Sequence, residues 1–190
     1  PLQSGSNDIL GLMKRRYRRE LYASRVQKIR ETMPDACIGV DVISGFPGET
    51  KEHFHETYQF LNELDIAYLH NFPYSERPDT EAIHLKGKVS GNEKNERIQM
   101  LQILSEKKRR AFHETQLGKK SEVLFEASHN NGIMEGFTRN YVKVQAAYDP
   151  LWVNEEVKGF LNRINPEGCV DFAEFPVITA NREALLVKTL

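Results

Sequence analysis

Four stretches of this chain bring together residue types that could do chemistry. Gln3-Ser4-Gly5-Ser6 sets hydroxyls and amides just ahead of a helix-like segment. In parallel α/β folds such groups gather at the C-terminal edge of the sheet, where ligands bind. Gly45-Phe46-Pro47-Gly48 flanks a stiff proline with two glycines. Glycine lets backbone approach a ligand closely, and proline fixes the turn. His70, Phe72 and Tyr74 alternate, so a strand would aim them at one face. Gly136-Phe137-Thr138-Arg139-Asn140-Tyr141-Val142-Lys143 offers two cations that can neutralise phosphate and an aromatic that can stack on an unpaired base. No residue here has the neighbours that acid–base or nucleophilic work needs, and His70 alone is expected to be structural.

Charge and cysteine usage narrow the classes. The net charge is −1, but residues 14–30 hold eight bases (Lys14, Arg15, Arg16, Arg18, Arg19, Arg25, Lys28, Arg30) against Glu20 alone. Residues 146–190 hold seven acids against four bases. A local basic face can bind phosphate on a chain that is neutral overall. A solvated helix face is the plainer reading of the same run. Cys37 and Cys169 lie far apart, and neither has a second cysteine at metal-ligand spacing. No metal site is expected, and a reducing cytoplasm is the expected location. There is no apolar run near the ~20 residues of a membrane span, and the opening PLQSGSND has no signal-peptide pattern.

These groups need elements to position them. Ser6 can cap a helix from Asn7 to about Lys14. Tyr22, Val26, Ile29 and Met33 recur at helical spacing, predicting an amphipathic helix over 18–33 that Pro34-Asp35 ends. ACIGVDVIS (36–44) reads as a strand buried on both faces. Thr50 can cap a helix carrying Phe54, Tyr58 and Leu61 on one side, and 66–73 reads as a second strand. Strand, helix, strand, helix with short turns implies a parallel sheet. Two strands make only part of one. After a loop at 74–92, Ser90 and Glu93 have capping-box spacing for a helix reaching Gln116, with Gly118 as its stop. Five short strands follow, at about 121–127, 133–138, 140–146, 156–164 and 168–178, as a small OB-like barrel would have.

At this point PLQSGSNDILGLMKRRY (1–17), DVISGFPGET (41–50) and LHNFPYSERPDTEA (69–82) say more than periodicity does. In this order and spacing they resemble the back half of the barrel in radical-SAM methylthiotransferases. The 118–178 run falls where that family carries its TRAM domain, and GFTRNYVKV matches the TRAM signature of Asn-Tyr after a Gly-x-Thr turn. The implied fold is α/β: a partial parallel (β/α) barrel over 1–92, a connecting helix over 93–117, and a small all-β OB-like (TRAM) barrel with its tail over 118–190. His-x-Phe-Pro-Tyr-Ser resembles the branch acting on threonylcarbamoyladenosine more than the isopentenyladenosine or ribosomal-protein branches. Asp79 stands where the family usually has glycine.

The resemblance implies an enzyme that replaces the C2 hydrogen of a modified adenine next to the tRNA anticodon with a methylthio group. It implies S-adenosyl-L-methionine and two [4Fe–4S] clusters in the full-length protein. The cluster-binding cysteines are expected upstream of Pro1, so this chain alone is expected to bind no cofactor stably and to be inactive. Gln3, Ser4, Ile43, Gly45 and Phe46 are implied near S-adenosylmethionine. Lys14, Arg15, Arg16, Arg139, Tyr141 and Lys143 are implied to meet the anticodon stem-loop. A barrel cut in half is expected to have its 1–75 segment buried by self-association, domain exchange or missing partner residues. Methylthiolation of a ribosomal-protein aspartate, or a free-standing RNA-binding module, are the rival readings.

Overall fold

The computed structural model describes residues 1–175. The chain divides into two compact units, 1–115 and 116–190. Residues 176–178 of the expected last strand, and the tail, lie outside the described residues.

In the first unit the elements run α1 (Asn7–Leu12), α2 (Arg19–Thr32), β1 (Gly39–Ser44), α3 (Lys51–Glu63), β2 (Tyr68–Pro73) and α4 (Gly91–Gln116). β1 and β2 pair in parallel, from Gly39 opposite Tyr68 to Ser44 opposite Pro73. Gln3 bridges Val42 on the other side of β1, also in parallel. The Gln3 amide donates to the Asp41 carbonyl, and the Ile43 amide donates to the Gln3 carbonyl. β1 is therefore central, flanked by β2 and by the first residues of the chain.

Alternation along the strands decides what each face does. Val40, Val42 and Leu69 enter a core with Leu2, Val26, Phe54, Leu61, Leu101 and Leu104. Asp41 and Ile43 face the other way and are half-buried, and their register partners His70 and Phe72 are exposed. A parallel sheet is normally covered on both faces, and here only the helical side is. The expectation that 36–44 is buried on both faces thus holds for one face. In α2, Val26 is buried and Tyr22 half-buried, but Ile29 and Met33 are exposed, so the apolar stripe is shorter than its spacing suggests.

The free edge of β2 is finished by a side chain. The Ser105 hydroxyl, on α4, accepts from the Leu69 amide at 2.8 Å and donates to the Leu69 carbonyl at 3.1 Å. Pro73, at the strand's end, has no N–H to leave unpaired.

Helix ends follow their local chemistry. Thr50 and His53 form a reciprocal cap on α3. Ser90 accepts the Glu93 amide ahead of α4. Ser6 does not cap α1 with its side chain, contrary to expectation. Its own amide donates to Ser4 Oγ instead, and its hydroxyl is buried without a partner among the described residues. α1 also stops two residues short of Lys14. Lys14 adopts a left-handed φ of 54°, with its amide on the Gly11 carbonyl and the Arg15 amide on the Leu10 carbonyl, the Schellman pattern that ends a helix.

The second unit is a closed barrel of β3 (Lys120–Asn130), β4 (Ile133–Thr138), β5 (Lys143–Ala147), β6 (Glu156–Ile164) and β7 (Val170–Glu174), in the order β3-β4-β5-β7-β6. β5 and β7 are parallel and the other seams antiparallel. Val123, Phe125, Met134, Val144, Leu161 and Val170 are buried. Phe125 stacks on Trp152 and meets Phe172 edge-on. Gly159 is required at its seam, because a Cβ there would sit 2.3 Å from the Ala173 carbonyl oxygen. Five strands at nearly the expected places make this the more legible half of the fold. The element expected at 140–146 begins at Lys143, since 139–142 is a turn.

Candidate functional site

β1 runs into a turn that reverses on glycine. Gly45 and Gly48 have φ of 78° and 89°, a conformation that L side chains avoid. The turn is held from below by Glu49. Its carboxylate accepts the Gly45 amide at 2.7 Å and the Arg97 guanidinium at 2.6 Å. Arg97 also donates to the Glu49 carbonyl and lies over the Phe54 ring. Both side chains are almost wholly buried. Burial pushes the Glu49 carboxyl above its ordinary value, against the pull of the Gly45 amide and Arg97. Sequence reading did not single out this pair. Its signal was a glutamate straight after the Gly-Phe-Pro-Gly turn.

The residues expected near a nucleoside ligand lie around this turn in different states. Ile43 is half-buried on the open face of the sheet. Phe46 is buried edge-on against Tyr74, with ring centroids 5.1 Å apart. The Tyr74 hydroxyl is buried with no partner among the described residues. The Lys94 side chain lies across Gly45, its Cγ 2.5 Å from where a Cβ would be. The nearest atoms over Gly45 thus belong to a flexible side chain. Gln3 is buried at a φ of 72° beside β1. Ser4 is fully buried, its hydroxyl shared with Thr57 and the Ser6 amide, so its side chain supports the turn region from within. Tyr68, His70 and Phe72 form a run of ring contacts along β2.

The candidate RNA groups also divide. Lys14 pairs with Glu81. Arg15 and Arg16 are exposed and enter no ion pair among the described residues. In the barrel, Arg139 is shared by Glu122 and Glu156, at 2.8 and 3.0 Å. Lys143 is 2.7 Å from Glu135. These partners come from neighbouring strands and hold much of the positive charge the sequence suggested. Tyr141 is different. The turn carrying it is braced by the Thr138 hydroxyl, which accepts the Val142 amide and bonds Asn140. Tyr141 itself takes a left-handed φ of 61° and is 72% exposed. A bulky residue held in that conformation with its ring in solvent is uncommon.

Clusters of the [4Fe–4S] kind that the resemblance implies take three or four cysteine ligands. Cys37 is half-buried and Cys169 buried, both free, and no group of three His, Cys, Asp or Glu among the described residues could hold a metal ion. The described residues therefore do not fit a cluster. Around the same turn they leave a half-buried apolar Ile43, a glycine turn and a buried Tyr74 hydroxyl without a partner among the described residues. No helix among the described residues is long and apolar enough to cross a membrane.

No family model matches the chain. It is similar to the threonylcarbamoyladenosine tRNA methylthiotransferase MtaB of Aquifex aeolicus (strain VF5), 46% identical over 144 residues, 76% of this chain and 34% of the relative. The Bacillus subtilis (strain 168) protein of the same description is 38% identical over 148 residues, 76% of this chain and 33% of the relative. A tRNA-2-methylthio-N(6)-dimethylallyladenosine synthase of Syntrophus aciditrophicus (strain SB) is 37% identical over 187 residues, 98% of this chain and 36% of the relative. The chain spans about a third of the length of these relatives.

Proposed function

Since this chain is a homologue of the radical-SAM tRNA methylthiotransferases over most of its own length, we propose that it serves as the part of such an enzyme that completes the S-adenosylmethionine pocket and meets tRNA. The reaction is methylthiolation at C2 of N6-threonylcarbamoyladenosine next to the anticodon. The observation that supports the choice of branch is the 46% identity over 144 residues to a relative described as acting on threonylcarbamoyladenosine, against 40% over 146 residues for one described by dimethylallyladenosine. The β1–β2 sheet with one open face supports the partial-barrel reading, and the five-stranded closed barrel supports the OB-like, TRAM reading.

In this reading the chain's own residues bind and orient. Ile43 offers an apolar surface, and the Gly45 turn, kept in shape by Glu49 and Arg97, brings backbone close to the nucleoside. Phe46 and Tyr74 close the end of the strand, and Gln3 and Ser4 hold the neighbouring edge. S-adenosylmethionine supplies the radical and the methyl group when bound at a cluster whose cysteines this chain does not provide. Arg15, Arg16 and the exposed Tyr141 are the candidate RNA contacts whose side chains have no ion pair among the described residues. Lys14, Arg139 and Lys143 would have to exchange a carboxylate for a phosphate. The location in this reading is the cytoplasm.

The test is mass analysis of tRNA nucleosides from a strain lacking the gene. Loss of 2-methylthio-N6-threonylcarbamoyladenosine, with its unthiolated precursor accumulating, is the expected result. Loss of the dimethylallyl derivative instead, or an unchanged nucleoside profile, overturns the substrate assignment.

A further inference from the structure

Helix α2 carries a cationic stripe that the fold does not use. At about 100° per residue, positions 18, 21, 25 and 28 fall within about 80° of one another, and Arg18, Leu21, Arg25 and Lys28 are all exposed. The buried side of the helix lies elsewhere, at Tyr22, Ala23 and Val26. The other two bases of α2 have structural work. Arg19 donates to the Gly5 carbonyl and lies over Phe60. Arg30 donates to the carbonyls of Pro34, Ala36 and Asp65. The stripe residues enter no ion pair among the described residues. The acids of the helix are engaged differently, Glu20 with Asn7 and Arg19, and Glu31 with Gln27.

Local helix chemistry disfavours this arrangement. Arg18 stands at the N-terminal cap, where the helix dipole favours anions. Arg25 and Lys28 are like charges one turn apart. Beyond solvation, nothing among the described residues offsets the stripe, and an external polyanion would. It extends about 15 Å along the helix axis, and Arg15 and Arg16 precede it in sequence. Nucleic-acid backbones carry a charge every few ångströms, so a strip of that length meets several phosphates at once.

We infer that Arg18, Arg25 and Lys28 form a contact surface for the RNA phosphate backbone, in addition to any contact made by the barrel. The inference rests on the proposed tRNA reading. Its occupant is RNA rather than an acidic protein, because a dense, regularly charged chain suits three cations in a row with no ion pair among the described residues, beside exposed Leu21 and with exposed Ile29 at the border of the stripe.

The test titrates an anticodon stem-loop against the full 190-residue chain at several salt concentrations. The variants are Arg18→Gln/Arg25→Gln/Lys28→Gln and the helix-internal double Arg25→Gln/Lys28→Gln, with helix content checked by circular dichroism. The triple variant is expected to bind roughly 10-fold or more weakly at low salt, with the log–log salt slope falling by about 2 units, and the double variant is expected to fall between. Wild-type affinity and slope in both variants overturn the inference and leave the tRNA reading standing. Polyglutamate binding as tightly as the stem-loop, and lost in the same variants, overturns it in favour of an acidic protein partner. No binding of the stem-loop by the wild-type chain overturns it also. The nucleoside analysis above decides the tRNA reading independently.

Discussion

Arg97 and Glu49, 48 residues apart, meet at 2.6 Å in the core, and the carboxylate oxygen between them also holds the Gly45 amide at 2.7 Å. The geometry of the glycine turn at the end of β1 thus depends on a charge pair reaching across from α4.

Removing one member leaves the other charged, buried and alone. Arg97→Met or Glu49→Gln is expected to lower stability by roughly 3–5 kcal/mol. The double variant Glu49→Leu/Arg97→Met is expected to recover much of that loss, short of the roughly 1–3 kcal/mol for an unsatisfied Gly45 amide. Urea melts of the three variants check this. Equal, additive losses would show that the two groups do not act as a pair.

Glycines in the first unit should respond in opposite directions. Gly45→Ala forces a side chain into a φ of 78° and is expected to cost about 1–2 kcal/mol, while Lys94 swings aside. Gly11→Ala sits in α1 with nothing within 4 Å of its new Cβ, and should stabilise by about 0.5–1 kcal/mol. Thermal melts followed by circular dichroism separate the two.

The barrel should weaken in acid. Lys158 and then Arg139 hold the Glu122 carboxyl below its ordinary value of 4.5. Lys143 and Gln145 do the same for Glu135. A depressed folded-state value contributes stability that is present above 4.5 and lost as pH falls through the folded value. Glu49 runs the other way. Raised by burial, its contribution is full below 4.5 and fades as pH rises through its folded value. Trp152, the chain's one tryptophan, sits against Phe125 and reports on the barrel. Urea melts read by its fluorescence should shift to lower midpoints between pH 6 and pH 3, and Lys143→Ala/Lys158→Ala should shrink that shift. A barrel equally stable at both values would show that these pairs contribute nothing.

Anaerobic reconstitution of the chain with iron and sulfide should leave it without a charge-transfer band near ~400 nm, because its two cysteines supply too few ligands. Near-stoichiometric iron with such a band would refute the view that the cluster ligands lie outside this chain.

Much of the fold was legible where short-range chemistry decides it. Ser90 with Glu93, the stop at Gly118 and the turns between β-like runs are local, and each stands close to its expected place. The glycine turn at 45–48 was legible for the same reason. What escaped was set by partners distant in sequence. Arg97 reads as one more solvated charge on a helix until Glu49 is folded against it. Arg139 and Lys143 read as free cations until the neighbouring strands bring Glu122, Glu156 and Glu135 alongside. Ile29 and Met33 have helical spacing, yet the sheet beneath α2 is too narrow to bury them.

Adding strands to a sheet is a polymerisation, and Ser105 acts on it as a chain stopper. Its hydroxyl already satisfies both backbone groups of Leu69, and Pro73 offers an incoming strand no donor. A second molecule trying to extend the sheet at β2 meets an end already quenched. Open-ended stacking of strand on strand, the route to fibres, loses two of its hydrogen bonds at Leu69. The broad side of the sheet, across the half-buried Ile43 and the exposed Phe72, is a different surface. A symmetric contact there would bury the same patch on both molecules and halt at two.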